Sequence, residues 1–132
     1  MWAYGTKRII VWTTQRDYEI PEYLRETVSC SCLSPIALWD DLQDQGYQHV
    51  YIDGGSTIQA FAVEELIDDW IITRVPLLLG DGIPLFTPSH SLRRLRLDHV
   101  HTKSSPTGLV TSHYRSQREL NSQKKEKDSN KS

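Results

Sequence analysis

Residues 49–86 read HVYIDGGSTIQAFAVEELIDDWIITRVPLLLGDGIPLF, and this stretch decides the fold. It opens as a strand, His49 to Ile52, whose apolar run ends in Asp53-Gly54-Gly55-Ser56-Thr57. A helical pattern follows, with Ile58, Phe61, Ala62 and Leu66 marking its buried face. Ser56 or Thr57 is placed to cap that helix. Asp69 to Leu79 then reads as a second apolar strand, with Pro76 marking an irregularity or an edge near its end. Leu79-Gly80-Asp81-Gly82 is a glycine-rich turn. A glycine pair between strand and helix lets backbone N–H groups approach a ligand, and the helix N-terminus favours negative charge. The stretch therefore predicts binding of a nucleotide or another phosphorylated molecule.

Upstream, Lys7 to Thr14 reads as a buried strand, with Ile9, Ile10, Val11 and Trp12 in a row. Such continuous apolar runs suit a strand covered on both faces, as in a parallel sheet. Polar loop residues follow, and Thr27 to Leu33 is another short strand. Ser34 caps a helix that Pro35 begins, Ile36, Trp39 and Leu42 fall at helical spacing, and Gly46 stops it. Alternation of strands and helices argues for parallel strands with crossover helices. Downstream the rhythm changes. Leu92 to Thr102 and Gly108 to Arg115 are extended segments with no helix between them, which predicts an antiparallel hairpin. The fold class is therefore α/β, a mixed sheet with a parallel centre, flanking helices and a C-terminal antiparallel hairpin.

With 132 residues the chain is long enough for one domain with its own core. Its net charge of -2 makes no electrostatic case for nucleic acid. From Arg115 to Ser132 there are six Lys or Arg against three Asp or Glu, a local charge of +3. The preceding residues carry nine against fourteen, or -5. Residues 117–132 read as a disordered, solvating tail, leaving 1–116 as the folded domain. No apolar run approaches the ~18 residues of a membrane span, and the N-terminus lacks a signal-peptide layout, so a cytoplasmic protein is expected. Cys30 and Cys32 read as two thiols on a short strand in a reducing cell.

The segments VYIDGGSTIQAF and LIDDWIITRVPLLLGDGIPLF resemble the bacterial dihydrofolate-reductase-like family. That family includes the reductase domain at the C-terminus of the bifunctional riboflavin-biosynthesis protein. KRIIVWTTQR is similar to its strand ending in hydroxyl and basic residues, and LDHVHTKSSPTGLVTSHYR is similar to its closing hairpin. The resemblance spans about residues 4 to 115. It implies an NADPH-dependent reductase of a pteridine-like or aminopyrimidine heterocycle, and suggests a homodimer. Gly54, Gly55, Ser56 and Thr57 would hold the pyrophosphate, with Ile58 bordering the same site. Thr13, Thr14 and Arg16 would face the adenosine 2'-phosphate, where hydroxyls and a guanidinium suit a dianion. Leu79, Gly80, Asp81 and Gly82 would form the loop near the nicotinamide or substrate. No catalytic residue is assigned, because hydride transfer chiefly needs cofactor and substrate held in register.

Family members begin with a strand, a long loop, a helix and another strand ahead of the segment matching Lys7. Here that segment follows Met1 within a few residues, so the resemblance implies an N-terminally shortened version with an unpaired strand edge. The alternative function is a noncatalytic nucleotide-binding or assembly module. His99 and His101 have strand spacing that puts both rings on one face, and read as a surface strand rather than a metal site. Arg93, Arg94 and Arg96 read as a solvated strand face. Asp40, Asp41, Asp44, Glu64, Glu65, Asp68 and Asp69 read as solvent-facing charge.

Overall fold

A computed structural model describes residues 4–15, 18–87 and 94–117. Arg16, Leu92, Arg93 and the tail beyond Gln117 lie outside the described residues. The elements run β1 (Ile9–Trp12), a 3-10 turn (Glu22–Leu24), β2 (Val28–Ser31), α1 (Pro35–Asp44), α2 (Gly55–Val63), β3 (Asp69–Arg74), β4 (Leu97–Ser104) and β5 (Val110–Ser116). They divide into two compact units, split at Leu66/Ile67, with the Leu85 segment returning to the first.

In the first unit β1 pairs with β2 in parallel, Ile9 opposite Val28 and Trp12 opposite Ser31. All four residues of β1 are only half-buried, although the run is apolar throughout. Leu24, Val28, Leu38, Leu42, Phe61 and Ala62 form this unit's buried core. Trp12 meets Phe61 edge-on at 6.1 Å between ring centroids. Its indole Nε1 donates to the Leu33 carbonyl at 2.7 Å, which ties the end of β1 to the entry of α1.

The α1 helix forms as its sequence predicts. Ser34 Oγ accepts from the Ala37 N–H at 3.3 Å, and Pro35 takes the first helical position. Gly46 ends the segment with φ of +89°, a conformation other residues adopt at a cost. The buried stripe differs from expectation. Leu38 and Leu42 are buried, whereas Ile36 is 48% exposed. Asp40, Asp41 and Asp44 face solvent, as expected of a wet face.

Two expectations for residues 49–86 are corrected. His49 to Ile52 forms no strand, because no other described segment pairs with it. The second expected strand ends at Arg74 rather than Leu79, ahead of Pro76, which has no N–H to give a ladder.

The second unit is a three-stranded antiparallel sheet in the order β3-β5-β4, so the parallel and antiparallel strands lie in separate sheets. The expected hairpin is present as β4 and β5, joined by residues 105–109. Trp70 is the buried anchor of this sheet. Its Nε1 donates to Ser116 Oγ at 2.8 Å, and that hydroxyl donates to the Ile67 carbonyl at 2.6 Å. A bulge between His99 and His101 corrects the expectation that both rings share one face. His99 lies opposite Tyr114 and His101 opposite His113, and neighbouring residues of β5 point to opposite faces. Asp69 is not a bare solvent charge either, since it pairs with His113 and Arg115.

Candidate functional site

The Asp53–Ile58 turn carries the strongest site. Gly54 is the N-cap of α2, with φ of +90° and ψ of 125°. Only glycine adopts that geometry without strain, and because the helix already begins at Gly55, Ser56 and Thr57 lie inside its first turn and the expected cap by either does not form. The Gly54 carbonyl accepts from the Ile58 N–H at 2.9 Å and so closes the first turn. Asp53 Oδ1 accepts from the Gly54 N–H at 2.7 Å. The N–H groups of Gly55, Ser56 and Thr57 have no acceptor among the described residues.

These donors start a nine-residue helix, where its macrodipole is positive. Gly55 has open space around it, with no atom within 4 Å of a built Cβ. A phosphate oxygen can approach the backbone there. Asp53 places a carboxylate at the same turn, so the positive potential is partly offset and the donors act chiefly through hydrogen bonds. The donor set and open backbone fit a nucleotide phosphate.

One turn further, Gln59 does work that the sequence reading missed. Its Nε2 donates to the Leu85 carbonyl at 3.0 Å, and its Oε1 accepts from Thr87 Oγ1 at 2.6 Å. Gln59 therefore fastens the Leu85 segment to α2 in the same unit. Helical spacing alone marks position 59 as lateral, and only the returning chain supplies its partners.

Thr13 and Thr14 follow β1 in this unit. The Thr13 N–H donates to the Ser31 carbonyl at 3.0 Å, and Thr13 Oγ1 accepts from the Gln15 N–H at 3.1 Å. Thr14 is exposed, and Arg16 lies outside the described residues. Leu79, Gly80, Asp81 and Gly82 belong to the second unit, and all four are exposed. There Asp81 Oδ1 accepts from the Gly82 N–H at 2.8 Å, and Gly80 takes φ of +75°. The structure thus groups Gly54 to Ile58 as one turn and sets Leu79 to Gly82 in a separate turn.

In the second unit His113 Nε2 and Asp69 Oδ1 are 2.7 Å apart, and Arg115 Nε lies 3.5 Å from the same oxygen. The His113 hydrogen bond holds the Asp69 carboxyl below its usual range, with Arg115 adding to it and slight burial opposing it. His101 meets His113 edge-on at 5.4 Å. Among the described residues no cluster of three or more His, Cys, Asp or Glu could hold a metal ion. No helix among them is long and apolar enough to cross a membrane.

Comparison with known proteins places this geometry in a family. The RibD C-terminal domain matches residues 2–111. A protein assigned to riboflavin biosynthesis in Shewanella sp. PV-4 has a similar crystal structure, with a TM-score of 0.80 and 32% identity. The match covers 89% of this chain and 64% of that one. A pyrimidine reductase-like protein from Corynebacterium diphtheriae shares the fold, with a TM-score of 0.58 and 24% identity over 70% of this chain and 39% of that one. The uncharacterized protein YwjB of Bacillus subtilis (strain 168) is 41% identical over 56 residues, which are 42% of this chain and 32% of YwjB. This chain therefore spans less than two thirds of the length of these relatives. The family match runs from the residues before β1 into β5 and takes in the whole Asp53–Ile58 turn, so the chain belongs to the RibD C-terminal domain family.

Proposed function

We propose that this chain is the cofactor-holding part of an NADPH-dependent reductase acting on a pteridine-like or aminopyrimidine heterocycle. One observation carries the reading. A family member of reductase-like fold presents unclaimed N–H groups of Gly55, Ser56 and Thr57 on an open glycine turn at a helix N-terminus.

In this reading the backbone of Gly54 to Thr57 binds the pyrophosphate, and Ile58 borders it with an apolar surface. Thr13 and Thr14, with Arg16, bind the 2'-phosphate that distinguishes NADPH from NADH. Leu79, Gly80, Asp81 and Gly82 serve the nicotinamide or substrate end. NADPH supplies the hydride when bound. The protein's own contribution is to fix the phosphates, so that orientation rather than an acid or base side chain lowers the barrier. A homodimer in the cytoplasm is part of the proposal.

A second reading is a noncatalytic nucleotide-binding or assembly module. The unpaired run at His49 to Ile52 favours it, since a reductase needs a rigid sheet beneath its cofactor.

Calorimetric titration of the chain with NADPH tests the first reading, with Gly55→Val as the control. A Cβ at this position meets nothing within 4 Å in the free chain, so the variant is expected to fold while its side chain blocks the phosphate approach. Saturable binding that the variant loses is expected. A folded wild-type chain that binds no NADPH overturns the reading.

A further inference from the structure

In the second unit, β4 carries one residue more than the stretch of β5 opposite it. His99 lies opposite Tyr114, and His101 rather than Val100 lies opposite His113. Regular pairing would set Val100 against His113 and send the His101 side chain to the other face. The bulge therefore re-aims one histidine at another. The two rings meet edge-on, with 5.4 Å between their centres. On the same face Ile71 lies on the far side of His113, and Asp69 lies opposite Arg115.

Asp69 fixes which nitrogen of His113 is available. An ionised carboxylate only accepts, so His113 Nε2, 2.7 Å from Asp69 Oδ1, carries the proton. Nδ1 is then a bare lone pair, and no described residue donates to it. Histidines that ligate metal ions are held in this way, with the other ring N–H given to a carboxylate. His101 is exposed, and no described residue hydrogen-bonds its ring. Its χ2 torsion is broad, so the ring can turn a nitrogen toward His113. The spacing suits chelation: with Zn–N bonds of about 2 Å at a tetrahedral angle, two imidazole centres stand about 5 Å apart. Charge on this face is balanced. Lys103 and Arg115 flank the pair, Asp69 is paired with Arg115, and Asp98 lies opposite Arg115.

We propose that His101 and His113 bind one divalent transition-metal ion of the nickel, copper and zinc group, with Asp69 as the positioning residue. Both ligands are neutral imidazole nitrogens, which suit these ions and not magnesium or calcium. No third His, Cys, Asp or Glu among the described residues joins them, so water completes the shell. The ion closes a chain across three strands, from Asp69 on β3 through His113 on β5 to His101 on β4. Among the described strands β4 pairs with β5 alone, so the ion staples an edge strand to its neighbour. The site uses none of the residues proposed to serve NADPH.

The test uses the untagged 132-residue chain carrying Cys30→Ser and Cys32→Ser, which removes two exposed thiols that also take these ions. Calorimetric titration with Zn²⁺, and separately with Ni²⁺, should show one ion bound per chain. In that background His101→Ala should bind about a hundredfold more weakly, and Asp69→Asn about tenfold more weakly. His99→Ala should leave binding unchanged, because His99 faces the other side of the sheet. His101 is exposed, so its variant keeps the fold. Two further readouts locate the ion. Saturating Zn²⁺ should raise the melting temperature of the parent and not that of the His101→Ala variant. Paramagnetic Ni²⁺ should broaden the ring signals of His101 and His113 ahead of those of His49 and His99. No saturable binding, or binding that His101→Ala retains in full, overturns the proposal. Undiminished binding by Asp69→Asn overturns the positioning role. These readouts need no nucleotide, so they stand apart from the outcome of the NADPH titration.

Discussion

His113 Nε2 and Asp69 Oδ1 stand 2.7 Å apart across the β3–β5 pair, and Arg115 approaches the same carboxylate from two residues further along β5. An ionised carboxylate only accepts, so the histidine ring nitrogen carries the shared proton. The carboxyl is held below its ordinary value of 3.8 chiefly by this hydrogen bond. A depressed carboxyl stabilises the fold above its unfolded value, and the contribution is lost as pH falls through the lower folded value. Asp69→Asn removes that dependence. Urea midpoints measured from pH 6 down to pH 2 should show wild type losing its advantage over the variant below about pH 3.8. Asp69 is 49% exposed, so the advantage at neutral pH is small. Parallel curves for the two proteins would rule the linkage out.

Ser116 is the hub of the second unit's buried end. It accepts from Trp70 Nε1 at 2.8 Å and donates to the Ile67 carbonyl at 2.6 Å. Ser116→Ala deletes both bonds in a part-buried place, and about 1–3 kcal/mol of stability should be lost. Equilibrium denaturation read by tryptophan fluorescence measures this. A loss well under about 0.5 kcal/mol would mean water replaces the hydroxyl there.

Elements set by local chemistry were legible in the sequence. Ser34, Pro35 and Gly46 delimit α1 through capping, a preset φ and a positive φ, and each acts within one turn of chain. Pairing was less legible. His49 to Ile52 has the composition of a strand, but a strand exists only with a neighbour, and that information is not local. The bulge at His99 and His101 likewise depends on how β4 meets β5. The family resemblance rested on runs of residues adjacent in sequence, VYIDGGSTIQAF and LIDDWIITRVPLLLGDGIPLF above all, of which Gly54 to Ile58 form the start of α2. Gln59 was missed because its partners, Leu85 and Thr87, lie far along the chain.

Gly54 and Gly55 are neighbours with opposite demands. Gly54 has φ of +90°, yet a Cβ there would meet only Thr57 Oγ1 at 3.8 Å. Its restriction is conformational and not steric, and Gly54→Ala should cost about 1–2 kcal/mol. Gly55 has an ordinary φ and open surroundings at the first position of α2. Gly55→Ala should stabilise the chain by about 0.4–1 kcal/mol, by restricting the unfolded state. Thermal melts of the two variants should therefore move in opposite directions. Equal destabilisation would show that Gly55 also needs a glycine conformation.

Gly108 combines both restrictions at the tip of the β4–β5 hairpin. Its φ is +84°, and a Cβ would lie 3.0 Å from Pro76 Cγ and 3.3 Å from Pro76 Cβ. The turn around it is fully engaged. The Gly108 N–H donates to the Ser105 carbonyl at 2.9 Å, and the Ser105 N–H donates back to the Leu109 carbonyl at 2.9 Å. The proline ring is fixed to its own backbone and can yield only by moving the chain after β3. Gly108→Ala should therefore cost more than Gly54→Ala, about 2–3 kcal/mol once the contact is added to the backbone strain. Pairing it with Pro76→Ala separates the two parts. The double variant should recover the contact share and retain the backbone share, which a double-mutant cycle reads directly. If removing the ring recovers nothing, the whole cost resides in the left-handed backbone, and the approach of the hairpin tip to Pro76 contributes no strain.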